Sequence, residues 1–453
     1  LERVDIPNKV TGKPSFVQDM QPEGLLHGRI SRPPGPKATL KAIDLKEVEQ
    51  MPGVVAVVRD GNFLGVVAQR EEQAIRAERR LARIAQWNNG PELPANDPRH
   101  LLTLQAQAES EVISTKGDPS TAGAKQLSAE YTKPYLAHAS LAPSCALAQW
   151  GSGADSGKLW IWTHSQGIYP LRGDMAQVLG MPEQDIIITH AEGAGCYGHN
   201  AADDVTLDAV LLARAVPGKP VRVQWMREDE FAWEPFSSPM VVRLNASLDD
   251  KGNIVNWGHE LWSHAHSTRP GGKGGVNLLA AWHLEKPLPA AKPGNPPLPG
   301  GGSHRNAVPL YDFPNQKVTN HLIRQSPLRT SALRALGGHA NAYAIECFID
   351  ELAHKAKKDP LDFRIDLQST NTDTKRVLKK LREITNWDKP LPAGKARGVA
   401  QWDFFAGLSA QAVEVSLAKN GAVSVDKVYV VIDLGTVVNP DNVKAQVEGA
   451  VLM

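Results

Sequence analysis

The chain of 453 residues is long enough to bury a large core and to hold two or three domains. Its hydrophobic content of 42% and charged content of 22% are ordinary for a globular protein, and 50 Lys and Arg against 49 Asp and Glu leave a net charge of +1. Bulk electrostatics therefore give no support to a nucleic-acid partner. Cys145, Cys196 and Cys347 lie far apart without a CxxC pair, which excludes a cysteine-ligated iron–sulfur cluster or zinc ribbon built within this chain. No run of 18 apolar residues is present, so no membrane-spanning helix is expected. The start, Leu1-Glu-Arg-Val-Asp5, has neither an initiator Met nor a basic-then-apolar signal. The end, Gln446 to Met453, stops inside an apolar helical pattern, and the reading is of a truncated or nicked chain.

In chain order, residues 1–90 read as a small α/β module. Gly53–Val58 and Phe63–Ala68 are β-branched runs joined through Asp60-Gly61, and Glu71–Trp87 carries apolar residues at helical spacing. Residues 91–129 are polar and rich in Pro, Gly and Ser, and read as a linker. The region 130–370 opens with strands such as Lys158–Thr163, followed by a helix from Leu171 to Leu179 that Gly180 and Pro182 end. The β-branched run from Ile186, a glycine-rich turn, a helix from Asp203 to Val216 and the strand Pro220–Trp225 come next. Residues 284–309 are a Pro/Gly-rich insert expected as a surface excursion, and Ala342–Lys357 is a well-patterned helix. In the last block, 371–453, strands Ala412–Ala418 and Val425–Asp433 flank the turn Lys419-Asn-Gly421. The fold class is mixed α/β (α+β).

The turn Gly193-Ala-Gly195-Cys-Tyr-Gly198 satisfies the dinucleotide pattern G-x-G-x-x-G. Glycines there allow positive φ and close approach to an anion, and a helix N-terminus behind them offers N–H donors. A nicotinamide site further requires the turn to follow its strand directly and an acid about 20 residues on for the ribose. Here His190, Ala191 and Glu192 intervene, and the later position falls in Pro217-Gly-Lys-Pro220, which has no acid.

The ordered surroundings point elsewhere. Tyr131-x-x-Pro134-x-x-x-His138, Thr163-His-Ser-Gln166, the glycine turn and Arg227-Glu228 are followed by Pro327-Leu-Arg-Thr-Ser-Ala-Leu-Arg334-Ala-Leu-Gly337-Gly338. Then come Glu346-x-x-Ile-Asp350-Glu351, Asp359-Pro360, Asp433-Leu-Gly435, Asn439-Pro440 and Gln446-x-Glu448-Gly449. Across nearly its whole length the chain resembles the molybdopterin-binding large subunit of the molybdenum hydroxylases, the xanthine dehydrogenase and aldehyde oxidoreductase family. It is most similar to the nicotinate dehydrogenase and isoquinoline 1-oxidoreductase type. The opening, Asp5-Ile-Pro to Arg32-Pro33-Pro34, looks like that family's small α/β hammerhead domain, which would span 1–90. The molybdopterin-binding region would occupy 130–370 and, incompletely, 371–453.

The resemblance implies a role for each matching residue. Gln166 would hydrogen-bond an oxo ligand of molybdenum, and Gly195, Cys196, Tyr197 and Gly198 would form the turn against the metal's oxygen ligands. Arg334 would stand beside the metal site and Gln446 would contact the pterin, with Leu336 and His199 on the substrate side. Molybdenum would be held through the pterin dithiolene with no direct protein ligand. The cofactor implied is molybdenum–molybdopterin cytosine dinucleotide. The reaction is hydroxylation of an N-heteroaromatic compound, or oxidation of an aldehyde, with water as oxygen source. Electrons would leave through [2Fe–2S] clusters on a partner subunit and reach a cytochrome c. The remaining segments of the large subunit are further expected partners, and a bacterial periplasmic or membrane-associated setting is favoured over the cytoplasm.

The match also has gaps. The family's catalytic glutamate motif and a Gly-Gln-Gly cofactor segment fall outside this chain, so the base is unassigned. Glu192 and Glu346 are carboxylates with simpler roles in a turn and on a helix face. Cys196 replaces a family glycine, and Leu336 replaces a phenylalanine that stacks on flat substrates in xanthine-type enzymes. His264 and His266 read as part of a polar loop between strands, or as the lining of a substrate entrance. A non-catalytic scaffold and the nicotinamide oxidoreductase are the alternative functions.

Overall fold

The computed structural model describes residues 3–453. Its first sheet has seven strands in the order Ile186–His190, Leu159–Thr163, Cys145–Trp150, Val221–Gln224, Leu26–Ser31, Phe63–Ala68, Val54–Asp60. Val54–Asp60 and Phe63–Ala68 form the expected hairpin through Asp60-Gly61. The strands of residues 1–90 do not stand apart: Leu26–Ser31 pairs in parallel with Val221–Gln224, with Leu26 opposite Val221.

Across this sheet lies the helix Ala202–Ala213, all twelve of whose residues are buried. A helix buried all round needs neighbours without side chains in its way. Gly28 and Gly65 provide this, since a Cβ on either would come within 2.6–2.7 Å of the Leu212 methyl groups. The fully buried Leu212 contributes on the order of 2–3 kcal/mol through its removal from water.

The second sheet runs Glu109–Lys116, Gln316–Leu322, Ile254–Ser263, Met240–Leu248, Lys125–Lys133. Its two outer strands arise from the stretch expected as a linker. Edge strands carry one paired flank and one wet flank, so polar side chains suit them. From these two strands Ile113, Leu127, Ala129 and Tyr131 turn toward the core. That core is built on Trp257, which stacks on Phe313 with ring centroids 4.7 Å apart, and on the helix Gly338–Ala356.

Residues 284–309 also depart from expectation. Ser303 and Ala307 are fully buried, and Asn295 Nδ2 donates to Ser303 Oγ at 2.7 Å, which in turn donates to Asn320 Oδ1 at 2.8 Å. Short polar side chains satisfy the backbone of a glycine-rich segment and let it run inward. A third, three-stranded meander, Lys395–Phe404, Gly407–Leu417 and Val423–Asp433, rests on the helices Pro360–Asp366 and Thr372–Thr385 through Val399, Ala410, Ala412, Leu378 and Leu381. The helix Pro440–Leu452 follows and buries no residue. Among the described residues no helix is long and apolar enough to cross a membrane.

Candidate functional site

Leu159–Thr163 and Ile186–His190 are parallel neighbours in register, so their carboxyl ends open at the same margin of the first sheet. Such ends are the favoured ligand positions of open α/β sheets. From the first strand the chain continues into His164, Ser165 and Gln166; from the second it enters the glycine turn. The two segments are in close contact, with Ala191 N–H donating to Thr163 O at 2.9 Å. A Cβ on Gly193 would lie 2.5 Å from the His164 ring.

A third segment, Thr330–Gly338, meets the turn backbone to backbone. His199 N–H donates to Ala332 O at 2.7 Å, and Arg334 N–H donates to Tyr197 O at 2.8 Å. The Ala332 oxygen also accepts from His138 Nε2 at 3.0 Å. Gly198, at φ +138°, is required here, because a Cβ would sit 2.1 Å from that same oxygen. Tyr197 itself adopts a left-handed φ of 61°, and Ala335 and Leu336 form a left-handed pair at 72° and 52°. Non-glycine residues held in this region carry strain that a functional turn can justify.

Two charged or polar side chains stand at the open margin. Arg334 is exposed, and its guanidinium has no partner among the described residues. Gln166 is exposed as well; its Oε1 accepts from Arg269 Nη2 at 2.7 Å, which leaves its amide hydrogens to donate outward. The amides of Tyr197 and Gly198 have no acceptor among the described residues. The half-buried Cys196 thiol donates to Gly198 O at 2.9 Å. Burial pushes the thiol pKa up, although backbone hydrogen bonds oppose this, so the thiol is protonated and unreactive.

Beneath the turn lies a buried polar layer that sequence reasoning missed. Asp203 accepts from Ser165 Oγ, and its Oδ2 lies 2.9 Å from His199 Nε2, while His199 Nδ1 lies 2.8 Å from Ser331 Oγ. Burial lowers the His199 pKa against the pull of Asp203. Burial opposes ionisation of Asp203, but its hydrogen bonds from His199 and Ser165 outweigh it and keep the carboxyl below its ordinary value. The pair is therefore a neutral imidazole beside a carboxylate. Asp204 accepts from Leu279 N–H at 2.8 Å and from Arg329 Nη1 at 2.7 Å. Asp208 pairs with Arg32 and accepts from the Trp225 indole at 2.8 Å; burial pushes it up to about 6. The available signal was three aspartates within an otherwise mostly apolar helical run.

The helix start behind the turn is not the open anion site expected from the sequence. Asn200 Oδ1 accepts from Ala202 N–H at 3.1 Å, and Asp203 and Asp204 already occupy the positive end of the helix dipole. A dinucleotide pyrophosphate would meet two carboxylates there. Gln446 is also not gathered with the others: it lies on the exposed helix Pro440–Leu452, lining an apolar groove with Val430, Ile432 and Val447. His264 and His266 are buried, bonded to Ile323 O at 2.9 Å and Ser263 Oγ at 3.0 Å, and so belong to the interior. The structure brings together Gln166, Gly195, Cys196, Tyr197, Gly198, His199, Arg334 and Leu336.

Comparison with known proteins assigns the class. Family models for the molybdopterin cofactor-binding domain match residues 104–286 and 319–453. The chain belongs to the molybdopterin-binding large subunits of the molybdenum hydroxylase family. A nicotinate dehydrogenase subunit of Pseudomonas putida is 34% identical over 99% of this chain and 38% of its own length. The membrane-bound aldehyde dehydrogenase of Gluconacetobacter polyoxogenes is 27% identical over 100% of this chain and 60% of its own length. The beta subunit of isoquinoline 1-oxidoreductase from Brevundimonas diminuta is 25% identical, over 99% and 57%. The chain thus spans less than two thirds of these relatives. Among solved structures, the aldehyde oxidoreductase of Desulfovibrio gigas superposes with a TM-score of 0.66 at 18% identity, covering 93% of this chain and 51% of that one. Quinoline 2-oxidoreductase of Pseudomonas putida 86 gives 0.67 at 18% identity, over 94% and 61%. These likenesses establish the mixed α/β fold, and the nicotinamide reading finds no support in them.

Proposed function

We propose that the chain is the cofactor-binding part of an enzyme that hydroxylates an N-heteroaromatic compound or oxidises an aldehyde. Water would be the oxygen source, and a [2Fe–2S] subunit would take the electrons. The observation that carries this reading is the seam between Tyr197–His199 and Ala332–Arg334. It leaves two amides unpaired among the described residues, beside the Gln166 amide hydrogens and an exposed, unpaired guanidinium. Donors without acceptors, on a backbone too tight for a Cβ at Gly198, fit an oxygen-rich anionic group of the molybdenum–pterin kind. The substrate class follows from the relatives, named for nicotinate, isoquinoline and aldehydes.

When bound, the molybdenum–pterin group supplies the oxygen-transfer and redox chemistry. The chain's residues then bind and orient. Gln166 and the Tyr197 and Gly198 amides donate hydrogen bonds, Arg334 holds negative charge, and Leu336 offers an aliphatic wall to the substrate. Neither candidate carboxylate is free to act as base. Glu192 is bound by Lys9, and Glu346 is clasped by Arg364 Nε at 2.9 Å and Tyr311 Oη at 2.7 Å. The cytosine dinucleotide form of the cofactor, a cytochrome c acceptor and a periplasmic or membrane-associated setting complete the proposal for the whole enzyme. Elemental analysis of the full-length protein tests it, with about one molybdenum per large subunit expected and less in Arg334→Ala. Absence of molybdenum from protein made in a molybdenum-replete host overturns it.

A further inference from the structure

The three segments that carry Gln166, Tyr197–Gly198 and Arg334 are joined at their margin by backbone contacts, and behind it by a buried group of side chains that links all three. Ser165 donates to Asp203, Asp203 Oδ2 lies 2.9 Å from His199 Nε2, and His199 Nδ1 meets Ser331 Oγ at 2.8 Å. Each serine is also fixed to the backbone. Gly167 N–H donates to Ser165 Oγ at 3.1 Å, and Thr268 N–H donates to Ser331 Oγ at 3.1 Å. The Asp203 carboxylate can only accept, so its 2.9 Å contact favours the hydrogen on His199 Nε2 and leaves Nδ1 to accept from Ser331 Oγ. His199, Asp203, Ser165 and Ser331 are all essentially buried. The group is therefore shut away from solvent, with no water to substitute for a lost partner.

We infer that His199, with Asp203, Ser165 and Ser331, is a positioning group that sets the spacing between Gln166, the Tyr197–Gly198 backbone and Arg334, and thereby the geometry imposed on the molybdenum ligands. His199 is buried behind the margin rather than open to a substrate, and it acts through the segments on either side of it. Ser165 precedes Gln166, His199 follows Gly198, and Ser331 stands three residues before Arg334, so a change in the length of this chain of hydrogen bonds moves all three. This inference rests on reading the turn as the cofactor's seat.

The test uses the complete enzyme with its partner subunit, in wild type, His199→Ala, His199→Gln and Ser331→Ala. Molybdenum content, the electron paramagnetic resonance spectrum of the partly reduced metal, and kcat are measured together. His199→Ala is expected to retain metal but to shift the g-values and lower kcat about 10- to 100-fold, the range seen when groups that orient a metal's neighbours are removed. His199→Gln, which keeps a donor toward Asp203, is expected to restore part of both. Ser331→Ala shifts the spectrum less and serves if His199→Ala does not fold. An unaltered spectrum and kcat in a variant that has only a lower melting temperature overturns the inference. Wild-type protein without molybdenum would instead overturn the reading of the turn itself.

Discussion

The helix Ala202–Ala213 and the helix Pro440–Leu452 have nearly the same length, the first following the glycine turn and the second carrying Gln446, yet they are opposites. The first is wholly buried and carries three acids, each paired across to another segment. The second buries nothing and presents Val443, Val447 and Val451 to an open groove together with Gln446. Where buried polar pairs converge, side-chain positions are over-determined and a site has one geometry. Where a helix is held only by its own hydrogen bonds, a residue on it has an address in the sequence but none in space.

This contrast can be broken or sharpened by substitution. Gly198→Val should have the largest effect. It combines a forbidden φ with a clash against the Ala332 oxygen, and about 3 kcal/mol or more of stability should be lost in denaturant unfolding, together with cofactor retention. Arg329→Met strips Asp204 of its charged partner while leaving the carboxylate buried. A loss of about 3–5 kcal/mol is expected, and an unchanged midpoint would show that Asp204 is protonated or reached by water. Leu212→Ala, beneath Gly28 and Gly65, should cost about 3 kcal/mol, depending on how far the sheet closes over the cavity.

The same buried layers respond to acid. Burial depresses His164 to about 4 and His259 to about 3, against about 6.5 in the unfolded chain. Their stabilising contribution is complete above pH 6.5 and declines as pH falls toward 4, where the unfolded chain takes up protons that the native one refuses. Each histidine contributes a slope on the order of 1.4 kcal/mol per pH unit in that window, which chemical denaturation at several pH values would reveal. Smallest of all, Gln446→Ala should leave stability within about 0.5 kcal/mol of wild type, and the amides of Pro440–Leu452 should exchange rapidly in this chain. Slow exchange there would mean that the groove is covered in solution and the contrast overdrawn.

The sequence made some of this legible. The glycine turn and the Arg334-Ala-Leu-Gly337-Gly338 run stood out because special backbone conformations demand glycine and leave a mark in the chain, while their joint membership of one site was implied by the family resemblance. The hairpin through Asp60-Gly61 and the helices near 71, 168 and 338 were readable for the same local reasons. What stayed hidden depends on distant partners. Asp203 and Asp204 read as ordinary first-turn acids until Ser165, His199 and Arg329 are seen opposite them. The strands Glu109–Lys116 and Lys125–Lys133 read as a linker because edge strands are allowed to be polar. The helix start reads as an anion site when the glycines before it are considered without the adjoining Asn200, Asp203 and Asp204, which already fill it.

The parallel pairing of Leu26–Ser31 with Val221–Gln224 has a consequence for the life of the protein. That strand is borrowed from far upstream, and without it Val221 and Val223, both buried, would form a bare apolar margin in the middle of what is now a continuous sheet. An exposed edge of this kind invites pairing with other chains. Proteolytic loss of the first thirty-odd residues should therefore be seen as aggregation before it is seen as any defect in catalysis.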